Sequence, residues 1–496
     1  MEPSPKLRRT RTSDPDDEPI IRLACQIQDY TFGKKGSKSL AARYALANES
    51  EGHFKIDEEQ QYGEIWMGDH QDGPSRSLKT SVHLRTLIEQ SPAAYLNNSI
   101  AKKFPGPENS PQLPFLFKVL SFDKALPLGA HPHKSLAEQL EKERTQETQS
   151  DNQKVVNLNH KPQVALSLSP HFESFVGFRP ADEIKAFLRD VVELREILEE
   201  EQSIIANLND ANLDPQLREI LCRLLKKDKL QVEKTTKKLL SRIQKQGNRA
   251  LGEIGERDEL ADVVQKIWRY APGDPGLFGA VFFLNFLTLK RGEGLAVPPG
   301  CIHTYIEGDI IECMTNADKL LPRSLSASEP NVSDLLVKLL LHNPESAKHQ
   351  LLQPKPFLRS RNSHTTKYEG PIEEFSLLKI SLDRAEEEFF SIDGPAIYVV
   401  TAGEVEVSAR ARPSRQAQEP QRDSETPGPR ETVASEGGHV PLLRRGSECS
   451  RTGDEGQREH LTEGMSVFVK PGYEIGFWNR GAGRAEVHAV YCELGE

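Results

Sequence analysis

The sequence predicts a mainly β protein with a helical insertion, and three stretches carry that expectation. The first is KRGEGLAVPPGCIHTYIEGDIIECM, residues 290–314, where the turns Arg291-Gly292-Glu293-Gly294 and Pro298-Pro299-Gly300 bracket an apolar run and a longer strand follows. Residues two apart on a strand share a face, so His303 and Tyr305 point into one cavity while their neighbours pack the wall. A small antiparallel barrel presents polar groups to a ligand in this way. The second stretch, residues 180–270, contains DEIKAFLRDVVELREILEEE and LREILCRLLKKDKLQVEKTTKKLLSRIQ, with apolar residues three and four apart among many charges. That spacing is amphipathic helix, read here as an insertion that caps or flanks the barrel. The third is C-terminal: PIEEFSLLKISL, GPAIYVVTAGEVEVSA and LTEGMSVFVKPGYEIGFW alternate as strands do.

Composition narrows the function classes. A chain of 496 residues exceeds what one hydrophobic core organises, so two or three domains are expected. A net charge of −10 gives no footprint for nucleic acid. No run of about eighteen apolar residues occurs, and the start MEPSPKLRRTRTSDPDDEP is polar throughout, so neither a membrane span nor a secretory leader is expected. The cysteines (Cys25, Cys222, Cys301, Cys313, Cys449 and Cys492) form no C-x-x-C pair and read as reduced thiols of a cytoplasmic protein.

In chain order, residues 1–18 read as a disordered charged tail. Order begins at Ile20-Ile21-Arg22-Leu23, and a further strand, Tyr62 to Gly68, carries Glu64, a carboxylate that needs a specific partner inside an apolar strand. LPFLFKVLSFDKALPLGAHPHKSLAE, residues 113–138, opens as a strand buried on both faces with Lys118 embedded in it. It ends at Gly129-Ala130-His131-Pro132-His133, where His131 and His133 can address one metal ion if the chain stays extended; the other reading of His133 is a solvent-facing turn residue. Residues 409–460, rich in Arg, Glu, Ser, Pro and Gly, read as a disordered loop between strands.

Taken together, QDYTFGKKGS, YGEIWMG, LPFLFKVLS, AHPHKSLAE, NHKPQVAL, GFRP, LNFLTLKRGEG, IHTYIEGDIIECM, NADKLL, PIEEF and DGPAIYVVTAGEV resemble, in order, the type I mannose-6-phosphate isomerases. The resemblance spans residues 20–407 and resumes at 461. It implies two cupin-type antiparallel β-barrels (jelly rolls) plus an α-helical domain: a first barrel over 19–179 and 273–345, the helical insertion over 180–272, and a C-terminal barrel over 346–496. It also implies a monomer holding one Zn2+ per chain, acting on a sugar phosphate, and interconverting mannose 6-phosphate and fructose 6-phosphate on the way to GDP-mannose.

The implied site departs from the family in places. The family's zinc ligands, a glutamine, a histidine two residues on, a glutamate after H-K-P and a later histidine, fall on Gly129, His131, Gln163 and His303. Weakened zinc binding is expected, unless His133 replaces the ligand missing at Gly129. The lysine of N-H-K-P is Lys161, and the tyrosine and acidic residues fall on Tyr305, Glu312 and Asp318; the arginine falls on Pro322 with Arg323 one step off, and a lysine on Ser328. Enediol chemistry needs a base, a group for the developing oxyanion and a cation for the phosphate. Glu312 is the candidate base, Lys161 the polarising cation and Arg323 the phosphate cation, while Tyr305, Asp318 and Glu64 are candidates for contact with the sugar. The alternative is a degenerate, binding or regulatory member of the family; a cupin acting on another small molecule is a third reading.

Overall fold

The structure, a computed structural model, describes residues 18–49, 54–133, 135–137, 139, 161–206, 213–317, 350–370, 372–412 and 456–494. Its strands pair antiparallel throughout and gather into two β-barrels, with helices from Ala181 to Phe283 inserted in the first. The expected architecture is therefore the observed one.

The first barrel is built around the long strand His303–Thr315. Its second half pairs with Phe115–Phe122 on one side and Gln163–Ser167 on the other, and its first half pairs with Phe172–Phe178. The strand Phe115–Phe122 is buried along its whole length, as its unbroken apolar run predicts. Phe115, Phe117 and Val119 pack towards Ile397, Phe468 and Val490 of the second barrel. Leu116, Lys118, Leu120 and Phe122 alternate onto the opposite face.

In the insertion, Lys229–Gln246 shows why such a charged sequence is helical. Val232, Thr235, Thr236, Leu239 and Ile243 are buried on one stripe, and Asp228 caps the start by accepting from Leu230 N and Gln231 N at 3.0 and 3.1 Å. The insertion runs further than its periodicity indicates. Gly276–Phe283, placed by sequence in the barrel, is a helix buried at every residue. An all-apolar run has no polar face to reveal its period.

The first strand also lands elsewhere than expected. Ile20–Ala24 pairs with Ser466–Val469 of the C-terminal barrel, Ile20 opposite Val469, rather than closing the first barrel. A clasp reinforces this: Ile20 N donates to Gln457 Oε1 at 2.8 Å, Asn48 Nδ2 to Gly464 O at 2.6 Å, and Ser466 N to Asn48 Oδ1 at 2.9 Å. In the C-terminal barrel, strands extend to Ala411 and resume at Gln457, so both ends of the expected 409–460 loop are ladder residues. The rest of that loop, and residues 1–17 of the expected tail, lie outside the described residues. Among the described residues no helix is long and apolar enough to cross a membrane.

The end of the long strand is pinned by Asp69. Its carboxylate accepts from Leu113 N at 3.0 Å and from Asn316 Nδ2 at 2.8 Å. Burial pushes the carboxyl up to about 7. A carboxyl raised in the folded state gives stability that is complete below about pH 4 and is lost as pH rises towards 7. Over that window Asp69→Asn should flatten the fall of urea-unfolding free energy by up to about 4 kcal/mol, at about 1.4 kcal/mol per pH unit. An unchanged slope would show that Asp69 is ionised throughout.

Candidate active site

Four neighbouring strands deliver the polar groups of the first barrel. In register, Lys118 lies between Glu312 on one side and Trp66 on the other, and Gln163 lies opposite Met314. Lys118 Nζ stands 3.2 Å from Glu64 Oε2, 4.0 Å from Glu312 Oε2 and 4.9 Å from the centre of the Trp66 ring. Trp66 Nε1 donates to the same Glu64 oxygen at 2.6 Å. Lys118 is 1% exposed, and Glu64 and Glu312 are each 4% exposed, so this is one cation shared by two carboxylates out of contact with water. Such charges persist only when each has its partner. Glu64 thus has the specific partner that its place in the sequence demanded.

Glu312 reaches this cluster through an irregularity. Strict alternation would put it, seven residues beyond Tyr305, on the opposite face. Between Tyr305 and Glu307 the ladder slips, Tyr305 facing Ser174 and Glu307 facing Glu173, so one residue is extra. Ile306 packs with the helical core, while Tyr305 and Ile310 share the barrel core. Burial raises the Glu312 carboxyl above its ordinary range; Lys118 opposes this, Glu64 adds to it and Lys161 opposes it again. Burial, with the Glu312 charge beside it, pushes the Tyr305 phenol well up.

The histidines sit at the barrel mouth. Gly129 and His303 pair through their backbones, Gly129 N to His303 O at 3.0 Å and His303 N to Gly129 O at 2.8 Å. Burial pushes the His303 imidazolium down to about 4, so the ring is neutral, and its Nδ1 donates to Cys301 O at 3.1 Å. His131 lies with its ring centre 5.7 Å from that of His303, and its Nε2 is 2.6 Å from the Gln163 amide nitrogen. Lys161 Nζ donates to Ala317 O at 2.8 Å.

The structure therefore brings together His131, His303, Gln163, Tyr305, Glu312, Lys161 and Glu64. His133 sits in the following turn, where its Nδ1 bonds Ser135 Oγ at 2.9 Å and accepts from Leu136 N at 3.4 Å. Asp318 and Arg323, with Pro322 and Ser328, lie outside the described residues. Sequence reasoning gave no site role to Lys118 or Trp66. The available signal was a lysine inside an otherwise apolar strand, which demands buried anionic partners.

A family model for the catalytic domain of type I phosphomannose isomerase matches residues 20–181, and one for its helical insertion domain matches 192–284. The mannose-6-phosphate isomerase of Ogataea parapolymorpha is 34% identical over 391 residues, 77% of this chain and 87% of that protein. The chain belongs to the type I phosphomannose isomerase family. The Cryptococcus neoformans mannose-6-phosphate isomerase is 35% identical over 78% of this chain and 89% of its own length. A mannose 6-phosphate isomerase from Salmonella typhimurium, solved with substrate (f6p) and zinc, shares the fold at a TM-score of 0.69, covering 96% of this chain and 100% of that one at 22% identity.

The zinc of such relatives can be tested against the donors present in this phosphomannose isomerase family member. Among the described residues no three His, Cys, Asp or Glu side chains converge as a metal set. Position 129 has no side chain, Gln163 has no charge, and the Gln163 amide is 2.6 Å from His131 Nε2. Two donors on one tetrahedral zinc, each about 2.1 Å from the ion, stand ~3.4 Å apart. The Gln163 amide nitrogen stands closer to His131 Nε2 than two ligands of one ion would, and with no charge at 163 and no side chain at 129 this donor set does not fit zinc.

Proposed function

We propose that this chain is a mannose-6-phosphate isomerase, interconverting mannose 6-phosphate and fructose 6-phosphate as a cytoplasmic monomer that supplies GDP-mannose formation. The observation that carries this reading is the buried Glu64–Lys118–Glu312 cluster inside the first barrel of a member of this family. An aldose–ketose isomerisation through an enediol removes the proton from C2 of the sugar and returns it to C1, so one carboxyl must act first as base and then as acid. Glu312 has the properties for both, because burial holds its carboxyl above the ordinary range, nearer neutrality. Lys118, across the ladder from it, and Lys161 supply positive charge for the oxyanion that forms at the neighbouring oxygen. Tyr305 and Glu64 face the same interior and would orient the sugar, with Asp318 as a further hydroxyl partner and Arg323 as the phosphate partner.

The Gly129 and Gln163 positions favour a second reading, a member that binds a sugar phosphate without turning it over. A coupled assay for fructose 6-phosphate formed from mannose 6-phosphate separates the two. Turnover by the purified chain is expected. Calorimetric binding of mannose 6-phosphate with no turnover would replace the first reading with the second.

A further inference from the structure

We infer that the first barrel of this chain has exchanged the family's zinc for a direct hydrogen bond between His131 and Gln163, and that it folds without a metal. The exchange follows from what the residue at 163 can offer. A glutamate there is an acceptor only, so it can face the His131 ring only through a ring N–H or through a cation held between them. Glutamine also carries N–H donors, and in this structure its amide nitrogen lies 2.6 Å from His131 Nε2, whose lone pair accepts the bond with the ring proton on Nδ1. That lone pair is the one a metal would take. Gln163 is 3% exposed, so the bond forms out of water, where it counts most.

The surroundings agree. The Gly129 backbone is committed to the ladder with His303, leaving nothing at that position to ligate. His133 Nδ1 is occupied by the turn at Ser135 and Leu136. The buried carboxylates of the cluster, Glu64 and Glu312, are held by the Lys118 ammonium at 3.2 and 4.0 Å, a positive charge that a divalent ion would have to approach. A zinc site needs anionic or converging neutral donors; here His131 Nε2 faces the Gln163 amide nitrogen, Gln163 Oε1 is buried without a hydrogen-bond partner among the described residues, and position 129 offers no side chain.

The test reads metal rather than turnover, so it stands apart from the isomerase reading and fails separately from it. The full chain is dialysed with excess zinc, freed of loose ion and assayed by elemental analysis, and its melting is followed with and without EDTA. Well under one zinc per chain and a melting temperature indifferent to EDTA are expected. The double variant Gly129→Gln, Gln163→Glu should take up one zinc per chain and melt lower in EDTA. Stoichiometric zinc in the unmodified chain, or EDTA-sensitive melting, would overturn the inference. A double variant that melts cooperatively yet takes no zinc would overturn the assignment of the loss to these two positions. If the double variant does not fold, Gln163→Glu alone should still raise zinc affinity at least about tenfold in a chelator competition, and an unchanged affinity would overturn the exchange.

Discussion

Lys118→Met is expected to destabilise the protein by about 3–5 kcal/mol at neutral pH, the usual penalty for removing one partner of a buried ion pair. Methionine keeps the length of the stem and fills the space, so the loss is electrostatic rather than a cavity. It leaves the Glu64 and Glu312 carboxylates inside the barrel without the cation between them, while the Trp66 N–H still donates to Glu64. Both carboxyls then rise in the folded state, so the folded chain holds more protons than the unfolded one. Stability is therefore retained below about pH 4 and lost as pH rises through the folded values. Urea unfolding at pH 5 and pH 8 should show a deficit that widens at the higher pH. A deficit equal at both would mean that Lys118 acts only by packing.

Glu312→Gln should lower turnover by about 10²–10⁴-fold, the range typical of losing a positioned general base. The amide keeps the shape but can neither take nor return a carbon-bound proton. Stability should move the other way. Burial already holds the Glu312 carboxyl above its ordinary range, which means that its ionised form is disfavoured in the fold. A neutral amide removes that strain while Lys118 keeps Glu64, so melting above neutral pH should be equal or higher. Unchanged turnover would remove Glu312 as the base, and a large drop in melting temperature would show that its charge supports the fold.

Period-2 alternation was enough to place His303 and Tyr305 together and to bury Phe115–Phe122 on both faces. It could not show that Glu312 joins them, because the extra residue after Tyr305 is visible only in the pairing with Phe172–Phe178. Lys118 stood out as a misplaced charge, yet its partners come from strands more than 50 and nearly 200 residues away in the chain. Long-range pairing of this kind leaves no mark in local periodicity. The same holds for Ile20–Ala24, which reads as a strand but carries nothing to say which sheet receives it. His133 shares a spacing with His131, but its ring serves the start of the helix that follows, bonding Ser135 Oγ and Leu136 N.

The clasp between Ile20–Ala24 and Ser466–Val469 sets a timetable for biosynthesis. The first strand leaves the ribosome early, while its partner emerges near the end, so the ladder cannot close until nearly the whole chain has been made. At about 5–20 residues per second, the roughly 440 intervening residues keep an apolar strand waiting for on the order of 20–90 s. Throughout that interval an unpaired β-edge is open to other nascent chains. Newly made protein should therefore depend on chaperones until translation ends, and chains stopped short of Ser466 should aggregate even though they contain the entire first barrel.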